Sequence, residues 1–187
     1  GKYMNTFNLK FMHSYVSENG NANFFLKGFK DADKVILAGS FNKWDENAFK
    51  MTKTKNGWKL TLQLPAHVHQ YKFIVDGEWM EDPTNPNTVM NEFGGYNSTL
   101  TIKADVDFKL YGFDNAKKVI LAGDFNNWSE TEYEMIKTEK GWKFTVPLTG
   151  GKYHYKFIVD GMWITDPFNK VREYDGHGNI NSVRMVR

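Results

Sequence analysis

The 187-residue chain contains no cysteine, which excludes a disulfide scaffold, a thiolate metal site and a cysteine nucleophile while leaving the compartment open. Arginine is scarce, with only Arg172, Arg184 and Arg187. The 24 basic side chains nearly balance 22 acidic ones, for a net charge of +2, a poor profile for binding phosphate or nucleic acid. No apolar run approaches the roughly 18 residues of a membrane span, and no segment sustains a helical period. A soluble chain is therefore expected. No signal peptide is visible and Gly1 opens the chain abruptly, so the expectation is of a piece of a longer polypeptide with further domains and an undetermined compartment. What the chain does have is aromatic side chains, 16% of the total, and a cassette written twice.

Val35-Ile-Leu-Ala-Gly39-Ser-Phe41-Asn42-Lys-Trp44 returns as Val119-Ile-Leu-Ala-Gly123-Asp-Phe125-Asn126-Asn-Trp128, and Tyr71-Lys72-Phe73-Ile74-Val75-Asp76-Gly77 returns as Tyr155-Lys156-Phe157-Ile158-Val159-Asp160-Gly161. Trp79, Asp82-Pro83 and Asn97-Ser98 recur as Trp163, Asp166-Pro167 and Asn181-Ser182. Laying Phe24–Lys103 over Phe108–Arg187 without a gap gives about 37 identities in about 80 positions, the signature of a duplicated domain and not of a short solenoid repeat. The expected units are residues 24–104 and 105–187. Residues 1–23 form an extension without a counterpart, either an added strand through Phe7–Met12 or the remnant of a preceding domain.

Strand signals dominate both units. Trp58-Lys-Leu-Thr-Leu-Gln-Leu64 and Trp142-Lys-Phe-Thr-Val-Pro-Leu148 alternate apolar and polar residues with period two. Pro147 suggests an edge strand. Asp76-Gly77 and Asp160-Gly161 stand between strand-like runs, as a two-residue type I′ hairpin requires. About seven short strands per unit with regular turn signals indicate an all-β chain of two tandem immunoglobulin-like β-sandwiches. A strand over Thr99–Lys103 and another from Asp107 leave only Ala104–Val106 as linker.

The hairpin also orients side chains. A two-residue turn sets Val75 opposite Glu78 and Ile74 opposite Trp79, and directly paired residues share a face. Tyr71, Phe73 and Val75 then take the core face, and Trp79 lies with Lys72 on the other, as Trp163 lies with Lys156. An indole beside a polar donor suits a sugar, whose C–H faces pack on the ring while its hydroxyls seek hydrogen bonds. Packing of that face against another segment, through Ile74 and Ile158, stays open. So does the choice for Trp44 and Trp128, at turns ending a strand, between a binding loop and a lid over the core. Trp58, Trp142, Phe41 and Phe125 read as core.

A glycosidase needs two carboxylates across a cleft, but the repeated acids Asp76/Asp160 and Asp82/Asp166 are accounted for by hairpin and Asp-Pro turns. No phosphate loop or His-Glu-x-x-His motif appears, and the five histidines share no metal-ligand spacing between repeats. No enzyme activity, metal or cofactor is expected.

Taken together, Gly39-Ser-Phe-Asn-Lys-Trp44, His69-Gln-Tyr-Lys-Phe-Ile-Val-Asp-Gly77, Trp79, Asp82-Pro83 and Asn97, with their second-unit counterparts, resemble the glycogen-binding domain of the AMP-activated protein kinase beta subunit, within carbohydrate-binding module family 48. The resemblance implies an immunoglobulin-like sandwich that binds α-1,4-linked glucan between two tryptophans. Carried over by position, it implies stacking by Trp44 and Trp79, hydroxyl binding by Lys72 and a binding asparagine at Asn97. The second unit supplies Trp128, Trp163, Lys156 and Asn181. Where the family has an inserting leucine, this chain has Phe93 and His177. Where the family has a threonine, it has Gly95 and Asn179, so the two sites are expected to differ. The rival reading is an immunoglobulin-like protein-interaction module that uses the exposed aromatics as contacts.

Overall fold

A computed structural model describes residues 12–187. The chain divides into two compact units that meet between Ile102 and Lys103. Among the described residues every regular element is a strand, apart from two single 3-10 turns, Ser40–Asn42 and Asp124–Asn126.

The first unit has strands β1 (Tyr15–Val16), β2 (Ala22–Lys27), β3 (Val35–Gly39), β4 (Phe49–Lys50), β5 (Thr52–Lys53), β6 (Gly57–Leu62), β7 (Val68–Val75), β8 (Glu78–Met80), β9 (Thr88–Met90) and β10 (Tyr96–Thr101). One sheet runs β1-β2-β6-β5 and the other β4-β3-β7-β10-β9. β8 joins the second sheet beside the last residues of β7, while β10 pairs with its first residues. The second unit has β11 (Ala104–Tyr111), β12 (Val119–Gly123), β13 (Ile136–Lys137), β14 (Gly141–Leu148), β15 (Gly151–Val159), β16 (Met162–Ile164), β17 (Arg172–Tyr174) and β18 (Ile180–Val186). Its sheets are β11-β14-β13 and β12-β15-β18-β17, with β16 on β15. All pairs are antiparallel, and each unit is a β-sandwich.

Alternation puts every second side chain between the sheets. Phe24, Leu26, Leu37, Trp58, Tyr71 and Phe73 meet there in the first unit, and Phe108, Leu110, Leu121, Trp142, Tyr155 and Phe157 in the second. The indole nitrogens of Trp58 and Trp142 donate to the carbonyls of Phe29 and Phe113 at 3.0 and 3.1 Å, so the core tryptophans leave no polar group unpaired. Phe41 and Phe125 pack on these cores from half-buried positions.

The hairpin register is Val75 to Glu78 and Ile74 to Trp79, as a two-residue turn dictates, and both turn residues have positive φ, 46° at Asp76 and 88° at Gly77. Asp76 does more than turn the chain. Its carboxylate accepts from the backbone N–H groups of Asp33 and Lys34 at 3.0 and 2.9 Å, which fastens the loop before β3, and Asp160 repeats this with Lys117 and Lys118.

Two expectations are corrected. The linker at 104–106 does not exist as such, because β11 begins at Ala104, paired with Leu148; the alternation of Val106, Phe108 and Leu110 simply extends backwards. Pro147 does not mark an edge strand, since β14 lies between β11 and β13. β13 pairs only with Trp142 and Lys143, however, so at Pro147 the strand has β11 as its one partner, and proline's missing N–H is tolerated there.

The run 7–12, expected as an added strand, lies outside the described residues except for Met12. Tyr15 and Val16, a little further on, do add a strand to the first unit, opposite Asn23 and Ala22. The second unit treats the corresponding edge differently: Arg184 crosses the face of Phe108, 5.2 Å from its centroid, and donates to the carbonyl of Asp107 at 3.0 Å. One copy covers an exposed strand edge with a strand, the other with a guanidinium.

Candidate functional site

The outer face of the β3-β7 sheet, away from the core, carries Ile36, Ala38, Lys72, Ile74 and Trp79, because Ala38 pairs with Lys72, Ile36 with Ile74 and Ile74 with Trp79. This explains the uninterrupted apolar run of β3. Val35 and Leu37 enter the core, whereas Ile36 and Ala38 are buried on the opposite face beneath Trp44. Ile120, Ala122 and Ile158 lie likewise beneath Trp128. Trp44 is therefore neither a free loop residue nor a lid on the main core; it covers a small apolar patch outside it.

The turn that delivers Trp44 is tightly specified. Asn42 accepts from the N–H of Gly39 at 3.0 Å and donates to the carbonyl of Leu37, and the N–H of Trp44 returns to the carbonyl of Gly39 at 2.9 Å. Lys43 and Trp44 both have positive φ, 56° and 59°, as do Asn127 and Trp128. Two consecutive left-handed non-glycine residues are costly, and persist where the surroundings over-determine them. Gly39 is required by space: a Cβ there would sit 2.5 Å from the carbonyl oxygen of Gln70 and from the Phe41 ring. Gly39→Ala is accordingly expected to destabilise the first unit by about 2 kcal/mol, as seen by urea unfolding, by forcing β3 away from β7.

Beside Trp44 stands Trp79, with ring centroids 6.4 Å apart and planes tilted by 41°. Trp79 is 41% exposed and Trp163 38%, so both present indole surface to solvent. Trp44 and Trp79, with Lys72, Asn97 and Phe93, wall a hollow of about 720 Å³. Trp128, Lys156, Trp163, Asn179 and Asn181 wall one of about 870 Å³ in the second unit. His177 stands exposed on the loop leading to Asn179, its N–H donating to Asp175 at 2.7 Å. Among the described residues neither Lys72 nor Lys156 forms an ion pair, which leaves both ammonium groups available to hydroxyl oxygens.

Asn97 is buried and held from two sides, donating to Gln70 Oε1 at 3.0 Å and accepting from Asn91 at 3.2 Å. Its neighbourhood is braced by a second buried network. Tyr71 donates to Asp82 at 2.6 Å, Asn85 donates to the Tyr71 hydroxyl and the Thr99 carbonyl, and the N–H of Asp82 donates to Ser98. Burial, with the Asp82 carboxylate adding to it, pushes the Tyr71 phenol far above its ordinary pKa, so it remains a donor; Tyr155 is raised likewise, again mainly by burial. Asp82-Pro83 is thus a hub joining the chain after Trp79 to the residue after Asn97, and Asp166 repeats it.

Several wall residues escaped the sequence reading. Gln70 and Met90 border the first hollow, and His154, Glu173, Tyr174 and Asp124 the second. The period-two rule could have found Gln70 and His154, two residues before Lys72 and Lys156 on the same face. Met90, Glu173 and Tyr174 depend on the pairing of β9 and β17, which no motif announces, and Asp124 stands in the 3-10 turn that leads to Trp128. Among the described residues, no group of three histidines and acids gathers to hold a metal, and no helix is long and apolar enough to cross a membrane.

The model for the glycogen recognition site of AMP-activated protein kinase matches the chain twice, over residues 25–109 and 112–187. The beta-1 subunit of 5′-AMP-activated protein kinase from Rattus norvegicus is 38% identical over 78 residues, 42% of this chain and 27% of that protein. The beta-2 subunit from Mus musculus is 37% identical over 78 residues, 42% and 28% of the two chains. The match thus spans little more than a quarter of these relatives. A solved maltogenic amylase from S. marinus aligns with 78% of this chain and 26% of its own at 16% identity, with a TM-score of 0.38. Two β-sandwiches with the same repeated outer face, each matched by the same family over nearly its whole length, make the chain a member of the AMP-activated protein kinase glycogen recognition family, carrying two tandem domains.

Proposed function

We propose that each hollow binds α-1,4-linked glucan, as glycogen, starch or maltooligosaccharide, and that the chain performs no chemistry on it but tethers a larger polypeptide to polysaccharide. The observation that carries this reading is the repeated outer face: two tryptophans, a lysine that forms no ion pair among the described residues and a buried asparagine, held in the first unit by Gln70 and Asn91. Apolar sugar faces stack on the indoles while hydroxyls meet the ammonium and the amide. Each indole covering about 100 Å² of sugar contributes on the order of 2.5 kcal/mol before ordering costs, enough with the polar contacts for roughly micromolar affinity.

Hydrolysis is disfavoured by what faces the hollows. The acids of the second, Asp124, Glu173 and Asp175, correspond by position to Ser40, Val89 and Asn91 in the first, so no pair of carboxylates is common to both. Asp124 and Glu173 are moreover engaged by His154, whereas an acid–base pair must be free to exchange protons with substrate.

Native-gel migration of the full chain is expected to be retarded by glycogen and by soluble starch, and unaffected by dextran or cellulose fragments. Unchanged mobility with every α-glucan would refute the reading and favour a protein-interaction module.

A further inference from the structure

The two hollows differ at a corresponding position of β7 and β15. In the first it is Gln70, whose amide holds Asn97. In the second it is His154, and the imidazole is held at both ends, Nδ1 2.9 Å from Asp124 and Nε2 2.7 Å from Glu173. Asp124 belongs to the 3-10 turn that leads to Trp128, and Glu173 to β17, where it pairs with Asn181. The ring therefore connects the tryptophan side of the hollow to its asparagine side.

We propose that His154 is a positioning residue of the second site: as an imidazolium it joins Asp124 to Glu173 across the hollow, and glucan affinity there falls as the ring loses its proton, while the first site is indifferent to pH over the same range. The proposal rests on the glucan-binding reading above. An imidazolium donates from both nitrogens, whereas neutral imidazole donates from one. The backbone N–H of His154 also holds Asp124, at 2.7 Å, whatever the state of the ring, so the contact that opens is the one to Glu173, whose carboxylate then faces a lone pair at under 3 Å, and in a half-buried site such opposed acceptors separate. The wall carrying Asn181 relaxes with it.

The charged groups around the ring fit this role. Asp124 faces it from the 3-10 turn and Glu173 from β17; β18 sets Val183 opposite it. On its own strand Lys152 is bound to Glu173 at 2.6 Å, and Lys156 lines the hollow two residues away. The hydrogen bond to Glu173, aided by that to Asp124 and opposed by desolvation, raises the imidazole above its usual 6.5. Glu173 is lowered by its bonds to Lys152 and His154 and stays ionised. The bridge is thus complete at acid to neutral pH and is lost as pH rises through the raised His154 value.

The test uses the full chain with one site silenced. The W44A/W79A variant, titrated with maltoheptaose by calorimetry from about pH 5.5 to about pH 9, is expected to lose about tenfold in affinity with a midpoint above that of free histidine. W128A/W163A, which leaves the first site, should vary less than about twofold. Adding H154Q to W44A/W79A should flatten the profile near its high-pH affinity, since an amide cannot donate to both carboxylates. The imidazole carbon-bound proton resonances should titrate with the same midpoint in the absence of sugar. A flat W44A/W79A profile, or an unaltered slope in H154Q, overturns the proposal. Failure of W44A/W79A to bind at any pH removes the glucan-binding reading of the second hollow and this inference with it.

Discussion

Retention by glycogen is expected to disappear when Trp44, Trp79, Trp128 and Trp163 are all replaced by alanine. At about 2.5 kcal/mol per stacked indole, removing both from one site costs up to about 5 kcal/mol, a few thousandfold at about 1.4 kcal/mol per factor of ten. The two tryptophans of a pair should not behave alike in the unliganded protein. Trp79 is 41% exposed and leans on the sheet edge, so its removal costs little stability. Trp44 roofs Ile36, Ala38 and Ile74, and truncating it uncovers apolar surface worth about 1 to 2 kcal/mol. The cleaner variant is therefore W79A/W163A, which should lose most affinity while its melting temperature stays near wild type. Silencing one site only should matter unequally by ligand: maltoheptaose loses half its stoichiometry, while glycogen, if it engages both sites, loses about 10² to 10⁴ in apparent affinity. A quadruple variant that is folded by near-ultraviolet circular dichroism and still retarded by glycogen would show that the sugar binds elsewhere.

The fold was legible because its rules are local. Period-two alternation separated Trp58, Tyr71 and Phe73 from Lys72 and Trp79, and a two-residue turn at Asp76-Gly77 fixed the register that sets Trp79 beside Ile74. The repeat added a control, since each inference had to hold twice. What remained illegible depends on tertiary neighbours. Nothing in Asp82-Pro83 discloses a buried carboxyl group bonded to a tyrosine eleven residues earlier, because a turn reading satisfies the same residues. The position of Trp44 required knowing that two consecutive residues adopt left-handed backbone, which Lys43-Trp44 does not advertise. The polar walls around Gln70 and His154 were lost for a different reason. Gln70 and His154 differ between the copies, so no repeated motif singles them out.

The most damaging single substitution away from the hydrophobic core is expected at Asp82. Its carboxyl group is 3% exposed and accepts from the Tyr71 hydroxyl at 2.6 Å, the Ser14 hydroxyl at 2.7 Å and both the N–H and hydroxyl of Thr84. Alanine would leave the Tyr71 hydroxyl, itself fully buried, with no acceptor of comparable strength, and would release both Ser14 and Thr84. An unpaired buried donor costs about 1 to 3 kcal/mol, so Asp82→Ala should destabilise the first unit by about 3 to 4 kcal/mol. Tyr71→Phe should cost only about 1 to 2 kcal/mol, since Asn85 keeps its bond to the Thr99 carbonyl. The double variant should fall well short of the sum, because the donor stranded by one change is absent in the other. Scanning calorimetry should show the first unit melting earlier while the transition of the second, with its own Tyr155–Asp166 pair, stays in place. The functional consequence follows from connectivity. Asp82 fixes the chain leaving β8, which carries Trp79, and its N–H is bonded to Ser98, next to Asn97. Loss of the carboxyl group should therefore weaken maltoheptaose binding in a W128A/W163A background well before that unit unfolds. Unchanged first-unit melting in Asp82→Ala would mean that the carboxyl group stabilises little, and the coupling between core and binding face would have to run through the sheet alone.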